Sequence, residues 1–269
     1  MGSRTRCMME GTGSSPSSLS SSPSSGEAEL VRRIIAGVPD RDRLINDVAC
    51  GHRFVAVRVG DRVGLSSTLG QQPDGESLSL SRQLVGKPLD LATRQLSSQR
   101  LYARSLGLAA VCAGLDIPGG PRVDPGNIED LLVRKAAGRE VAVVGDFPFW
   151  PRVRDSAGRA HLLELRARPE AAPQEQWPEI LAACDLVAVT STALLTRSLA
   201  WFLASAAGAR VVLVGPSTPF SPALFGLGVH VLAGSEVLDG PAISEGVAEG
   251  LPFRQLKRRG VRQLAWSYA

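Results

Sequence analysis

Five short apolar runs in the second half of the chain, each leading into a polar loop, constrain the fold more than any other feature. The runs are Val141 to Val144, His161 to Leu165, Leu186 to Val189, Val211 to Val214 and Val229 to Leu232. The loops are Gly145-Asp146-Phe147-Pro148, Glu164-Leu165-Arg166, Thr190-Ser191-Thr192, Gly215-Pro216-Ser217-Thr218-Pro219 and Ala233-Gly234-Ser235. Helical stretches lie between them. Strand, loop and helix in repetition predict a Rossmann-like parallel sheet with helices on both faces. In such a sheet the loops at the carboxyl ends of the strands share one rim, where ligands bind. Glycines, hydroxyls and two acids on that rim mark it as the expected ligand site.

Composition sets wide bounds. A chain of 269 residues, 44% of them hydrophobic, can build one large core or two smaller ones. No apolar run reaches the roughly 20 residues that span a bilayer, and Met1 to Gly13 has no apolar signal region. Ser14 to Ser25 is nearly all serine, so residues 1–26 are expected to form a disordered tail. These features point to a cytoplasmic protein with no membrane partner. The net charge of +4 is spread over arginines scattered among acids. The one basic cluster, Arg254, Lys257, Arg258, Arg259 and Arg262, reads as the solvated face of a final helix, and no nucleic-acid partner is expected. Cys7, Cys50, Cys112 and Cys184 have neither zinc-site nor disulfide-framework spacing. Cys112 and Cys184 read as small core residues.

Ahead of the strand–helix repeats, Glu27 to Ala36 reads as an amphipathic helix stopped by Gly37-Val38-Pro39-Asp40. Phe54 to Val59 and Val63 to Leu65, joined by Gly60-Asp61-Arg62, form a hairpin pattern. Helical stretches follow at Leu89 to Gln95 and Ser98 to Leu115, the second apolar enough to be buried. The expected organisation is a small α+β domain over 27–116, a linker and helix over 117–138 with Asn127 as N-cap, and the parallel-sheet domain over 139–269.

The rim loops carry the chemistry. The first holds one glycine, not the G-x-G-x-x-G series, and Asp146 would repel a phosphate, so no NAD or FAD fingerprint is present. Asp146 reads either as a ligand contact or as the cap of a short helix near Pro151. Glu164 lies about 19 residues after Gly145, where Rossmann domains place the acid that binds ribose. A surface ion pair with Arg152 or Arg154 is the other reading. If close together, Asp146 and Glu164 would suit a divalent cation. Thr190, Ser191 and Thr192 precede a predicted helix over Ala193 to Ala206. One hydroxyl is expected to cap it, leaving the others and the first N–H groups for an anion. Gly215, Pro216, Ser217 and Pro219 form a stiff turn, with Ser221 and Pro222 opening another short helix. Gly234 and Ser235 complete the rim. His161 and His230 fall in strands and read as structural, and no residue presents itself as nucleophile or general base.

The stretches VAVVGDFPFW, HLLELRARP, ACDLVAVTSTALLTRSL, VVLVGPSTPFSPALFGLGV and LAGSEVLD, in this order, resemble the heavy-metal-chelation domain family, long classed as a domain of unknown function. VAVRVGDRVGLSSTLG and SLGLAAVCAGL resemble that family's N-terminal partner domain. The likeness covers most of the chain past the serine-rich tail. It implies an enolase-N-terminal-like domain joined to a Rossmann-like one, with a site at their junction. That site would bind a heavy-metal ion or a metal-bearing small molecule. This chain departs from the pattern at Asp146, where histidine is expected, and at Cys112, where asparagine is expected. The alternative is an enzyme using a nucleotide-type cofactor in an atypical Rossmann site, with Glu164 on the ribose. A homodimer is compatible with either reading.

Overall fold

The computed structural model describes residues 24–268. The tail expectation falls mainly on residues 1–23, with Cys7, outside the described residues. Ser24, the first described residue, caps α1 (Ser25–Ala36), its Oγ accepting from the Glu27 N–H at 3.2 Å. Leu30, Val31 and Ile34 bury the inner face of that helix.

A three-stranded antiparallel sheet follows: β1 (Asp47–Cys50), β2 (Phe54–Val59) and β3 (Arg62–Ser67), in that order. The expected hairpin is β2–β3. Then come α2 (Gly75–Leu84), α3 (Leu89–Thr93) with a 3-10 turn over Arg94–Ser97, and α4 (Leu101–Gly114). Sequence reading missed β1 and α2; α2 is half polar, G-E-S-L-S-L-S-R-Q-L, and is held by the Asp74 cap on Ser77 N–H. Val55, Val57 and Val59 of β2 face α4, whereas Phe54 and Ala56 face the other way.

The second sheet has seven strands: β4 (Val123–Asp124), β5 (Glu140–Val144), β6 (Arg159–Leu163), β7 (Leu186–Thr190), β8 (Arg210–Val214), β9 (Val231–Val237) and β10 (Val261–Ser267). Their order is β4-β10-β9-β8-β7-β5-β6. Strands β5 to β9 are parallel, and β10 and β4 join antiparallel at one edge. The expected doubly wound sheet is present. Its parallel strands follow the 2-1-3-4-5 order rather than the 3-2-1-4-5-6 order of dinucleotide-binding domains. The intervening helices are α5 (Ile128–Ala136), α6 (Trp150–Ser156), α7 (Trp177–Ala183), α8 (Ala193–Thr196), α9 (Leu199–Ser205), α10 (Gly240–Ala248) and α11 (Phe253–Gly260). Asn127 caps α5 as expected, accepting from Glu129 N–H at 3.1 Å.

Strand alternation sorts the core. Val141 and Val143 pack with α5 and α6, while Ala142 and Val144 pack with α4, α7, α8 and α9. The latter cluster also contains Val55, Val57 and Val59, so a continuous apolar core joins the two sheets. Helices α10 and α11 cover the outer face of the small sheet through Ile243, Val247 and Leu256.

Two expectations need adjustment here. The last helix, α11, carries Arg254, Lys257, Arg258 and Arg259 of the basic cluster and exposes the first three, as expected, but Arg262 lies in the following strand β10, where it pairs with Glu236 at 2.8 Å. The helix predicted over Ala193 to Ala206 breaks at Arg197, which has φ 57°. No helix among the described residues is long and apolar enough to cross a membrane.

Glu27 is 1% exposed. Its Oε2 accepts the Ala200 N–H at the start of α9 at 2.9 Å, and its Oε1 has no hydrogen-bond partner. Burial raises its pKa from 4.5 to about 7, against the lowering effects of that hydrogen bond and of Arg197. The native state therefore holds the proton to higher pH than the unfolded chain. Stability from this group is complete below about pH 4.5 and is lost as pH rises through about 7. Glu27→Gln should match wild type in acid and exceed it by up to roughly 3 kcal/mol near pH 8. Urea unfolding of both proteins across that range measures the difference.

Candidate functional site

Register brings the strand ends to one edge. Val144 pairs with Leu163 on β6 and Val189 on β7, Thr190 pairs with Val214, and Val214 pairs with Ala233. Beyond Val144 the chain turns into α6 on one face of the sheet; beyond Thr190 it turns into α8 on the other. Adjacent loops leaving toward opposite faces mark the switch point of the sheet, the position at which open α/β sheets bind ligands.

On one side of this switch point is Gly145-Asp146-Phe147-Pro148. Phe147 stacks on buried Phe149 with ring centroids 4.6 Å apart, and Pro148 is exposed. Asp146 caps no helix: the N-cap of α6 is Phe149, and Asp146 Oδ1 instead lies 3.1 Å from Arg168 Nη2. On the other side is Thr190-Ser191-Thr192. Thr190 and Thr192 share a hydroxyl–hydroxyl hydrogen bond of 2.9 Å, and the Thr192 N–H donates to Thr190 Oγ1 at 3.3 Å. No hydroxyl caps α8, correcting the expected cap. With only four residues, α8 also lacks the aligned dipole that the anion reading of its N–H groups required.

Gly145 and Gly215 have φ of 106° and 144°, and a Cβ on Gly215 would lie 2.5 Å from Ser191 Oγ. Glycine therefore lets the β7 and β8 loops close on each other. Ser191 is fully buried beneath this contact, its Oγ unpartnered, as is the Oγ1 of buried Thr218. Pro216 stays partly exposed and Pro219 is buried. Ser217 faces the small sheet, its Oγ accepting the Ser67 N–H at 2.8 Å. On the same seam the Cys112 thiol reaches the Ser217 carbonyl at 3.8 Å, and burial pushes that thiol up to about 12. Ser221 precedes the expected short turn, Pro222–Leu227, without capping it.

Gly234 and Ser235 do not form a loop. They lie within β9 and pair with Leu264 and Gln263 of β10, because the strand runs to Val237. Glu164 lies just past β6, its Oε1 accepting the Arg166 N–H at 2.8 Å. Arg152 pairs instead with Glu129 and Asp130, and Arg154 with Asp155 and Glu170. His161 bonds Glu140 at 3.0 Å and His230 accepts the Val211 N–H at 3.1 Å, both structural as expected. Sequence reading missed Ser67 and Arg168. Nothing in the periodicity of either segment marks a partner 150 residues away, or across a rim.

Among the described residues no group of three or more His, Cys, Asp or Glu side chains converges to hold a metal ion. Asp146 already faces a guanidinium. The rim can supply two carboxylates and hydroxyls, an incomplete shell for a bare ion. Cavities of about 490 Å³, lined by Val38, Asp40, Arg41, Asp42, Asp90 and Arg94, and about 240 Å³, between α2 and the Arg94–Ser97 turn, lie away from the rim.

The family model DUF364, described as "Putative heavy-metal chelation", matches residues 127–265, and DUF4213, with the same description, matches residues 31–115. The chain belongs to the DUF364 family. Two solved structures of that family, both of unknown function, are similar. One, from Desulfitobacterium hafniense DCB-2, is 25% identical with a TM-score of 0.75, covering 90% of this chain and 98% of its own. Another, from Pyrococcus horikoshii, is 18% identical with a TM-score of 0.71, covering 90% and 100%, and supports the fold alone. No curated protein matches.

Two outcomes follow from the seam. Ser217→Ala should leave the Ser67 N–H unpaired and cost about 1 kcal/mol, read as a lower urea midpoint at unchanged slope. Alkylation with iodoacetamide near pH 8, mapped by mass spectrometry, should leave Cys112 unmodified in the folded protein.

Proposed function

We propose that this protein binds a metal-bearing small molecule in the crevice between the β5 and β7 loops. The opposite courses of α6 and α8 from neighbouring strands carry this reading. The family description supports a heavy metal as cargo. Gly145, Phe147, Pro148, Thr190, Ser191, Thr192, Gly215, Pro216, Ser217 and Pro219 are proposed to shape and line the site, with Gly234 and Ser235 behind them. Asp146 and Glu164 are proposed to offer carboxylates to the metal. Because those two acids are too few to hold an ion, the small molecule supplies the remaining donors. The nucleotide alternative rests on Glu164, whose carboxylate is turned onto the Arg166 N–H, and it has no glycine series to support a pyrophosphate.

Thermal-shift titration with Zn²⁺, Ni²⁺, Co²⁺ and Fe³⁺, each alone and as its citrate complex, tests the reading. A saturating metal chelate should raise Tm by roughly 5–10 °C, and the double variant Asp146→Asn/Glu164→Gln should lose that rise. Equal shifts in variant and wild type, or none in either, would sink the assignment.

A further inference from the structure

The connection from β6 to α7 stands beside the proposed crevice and carries two arginines, Arg166 and Arg168. It is anchored at its base by the Ala172 N–H on the Leu162 carbonyl, at 2.9 Å. Glu170 holds its far arm, accepting from Trp150 Nε1 at 3.0 Å and from Arg154 Nη1 at 2.6 Å. Between the anchors Leu165 is 60% exposed, and Arg166, Ala167 and Arg168 are exposed with it. Arg168 reaches the rim and pairs with Asp146, with side chains 40% and 37% exposed respectively. Arg166 makes no ion pair among the described residues, and its backbone N–H holds Glu164.

An ion pair this exposed contributes little to stability, so either partner can be exchanged at small cost. A guanidinium binds carboxylates and phosphates through two parallel N–H donors. The hydroxyls of Thr190 and Thr192, bonded only to each other and to local backbone, can each turn to a new acceptor. A bare cation approaching Asp146 meets a carboxylate already paired, through Oδ1, with a charged arginine. An oxyanion approaching Arg168 meets a guanidinium whose present partner is an exposed, replaceable carboxylate.

We infer that the ligand presents carboxylates or comparable oxyanions, which Arg168 receives in place of Asp146, and that the Asp146–Arg168 pair is the resting latch of the site. This inference rests on the rim location proposed above and adds the chemical class of the ligand and a specificity residue. Release of Asp146 by the ligand's oxyanion leaves that carboxylate facing the metal carried by the same molecule. Chelator and metal therefore enter together, and the free ion competes poorly.

Isothermal titration of the full chain with metal-free citrate, tricarballylate and malonate, then with Zn²⁺ and zinc citrate, tests the inference. Arg168→Gln should weaken binding of the metal-free polycarboxylates at least tenfold. Asp146→Asn should leave it unchanged or tighten it up to about fivefold, because the competing carboxylate is gone. Zn²⁺ alone should bind wild type at least tenfold more weakly than zinc citrate.

The inference is overturned if the two variants weaken polycarboxylate binding alike, if none of the three polycarboxylates binds, or if Zn²⁺ alone binds as tightly as its citrate complex. The two readings fail separately. A silent Asp146→Asn/Glu164→Gln variant, with citrate binding still lost in Arg168→Gln, removes the metal assignment and retains the anion site. The reverse pattern retains the metal assignment and removes the anion site.

Discussion

Helix α4 has almost no solvent face, and the two halves of the molecule meet across it. Every residue from Tyr102 to Val111 is buried, as are Ala113 and Gly114. One side lies on β2 and β3; the other belongs to the cluster that includes Ala142, Val144, Val187 and Leu213 of the parallel sheet. A charge in such a helix is tolerable only when its hydrogen bonds are satisfied. Arg104 meets that condition, donating through Nε to the Leu195 carbonyl and through Nη1 to the carbonyls of Ser98 and Gln99. Burial still holds its pKa down to about 10. Its bonds tie α4 to the end of α8 and to the turn before α4, fixing one side of the rim against the small sheet.

The proposed crevice follows from that arrangement together with strand order. Strand β5 sits between β6 and β7, so the chain leaves it toward one face and leaves β7 toward the other. The small sheet then closes over the neighbouring loop. Ser67 and Cys112 both reach Ser217, a contact between segments 150 and 105 residues apart. On the β8 side the rim loops meet in close glycine contacts over buried hydroxyls. The β6 side is looser, with an exposed connection held at its ends and by one exposed ion pair. The buried contacts on one side and the exposed ion pair on the other are the features on which the proposed selection of a ligand by charge rests.

Much of the fold was legible because it was written in local periodicity. The β-branched runs at Val141, Leu186 and Val211 are strands within a residue of expectation, and the Gly60-Asp61 hairpin and Asn127 cap stand where those residues imply. The failures have physical causes. Ser235 was read into a loop because glycine precedes it, yet pairing with β10 keeps β9 extended past it. The alternation in V-R-Q-L-A-W-S was hidden behind a basic cluster that straddles a helix and a strand. The left-handed turn at Arg197, which divides α8 from α9, follows no helix-breaking residue; its guanidinium is held by Gln99 and by the carbonyls of Ser97 and Ser98, about a hundred residues earlier.

The sequence by itself determined the fold class, the presence of a polar rim and the absence of a dinucleotide fingerprint, since strand patterning, loop composition and glycine spacing are local properties. Only the tertiary structure decided which rim residues share a surface and what already occupies them. Asp146 faces Arg168, Glu164 folds back on its own loop, Ser217 serves the seam and Ser235 lies in a strand. Those assignments depend on strand order and on contacts between distant segments, and the energy of a side chain's partner is set by where the backbone brings it, not by its neighbours in sequence.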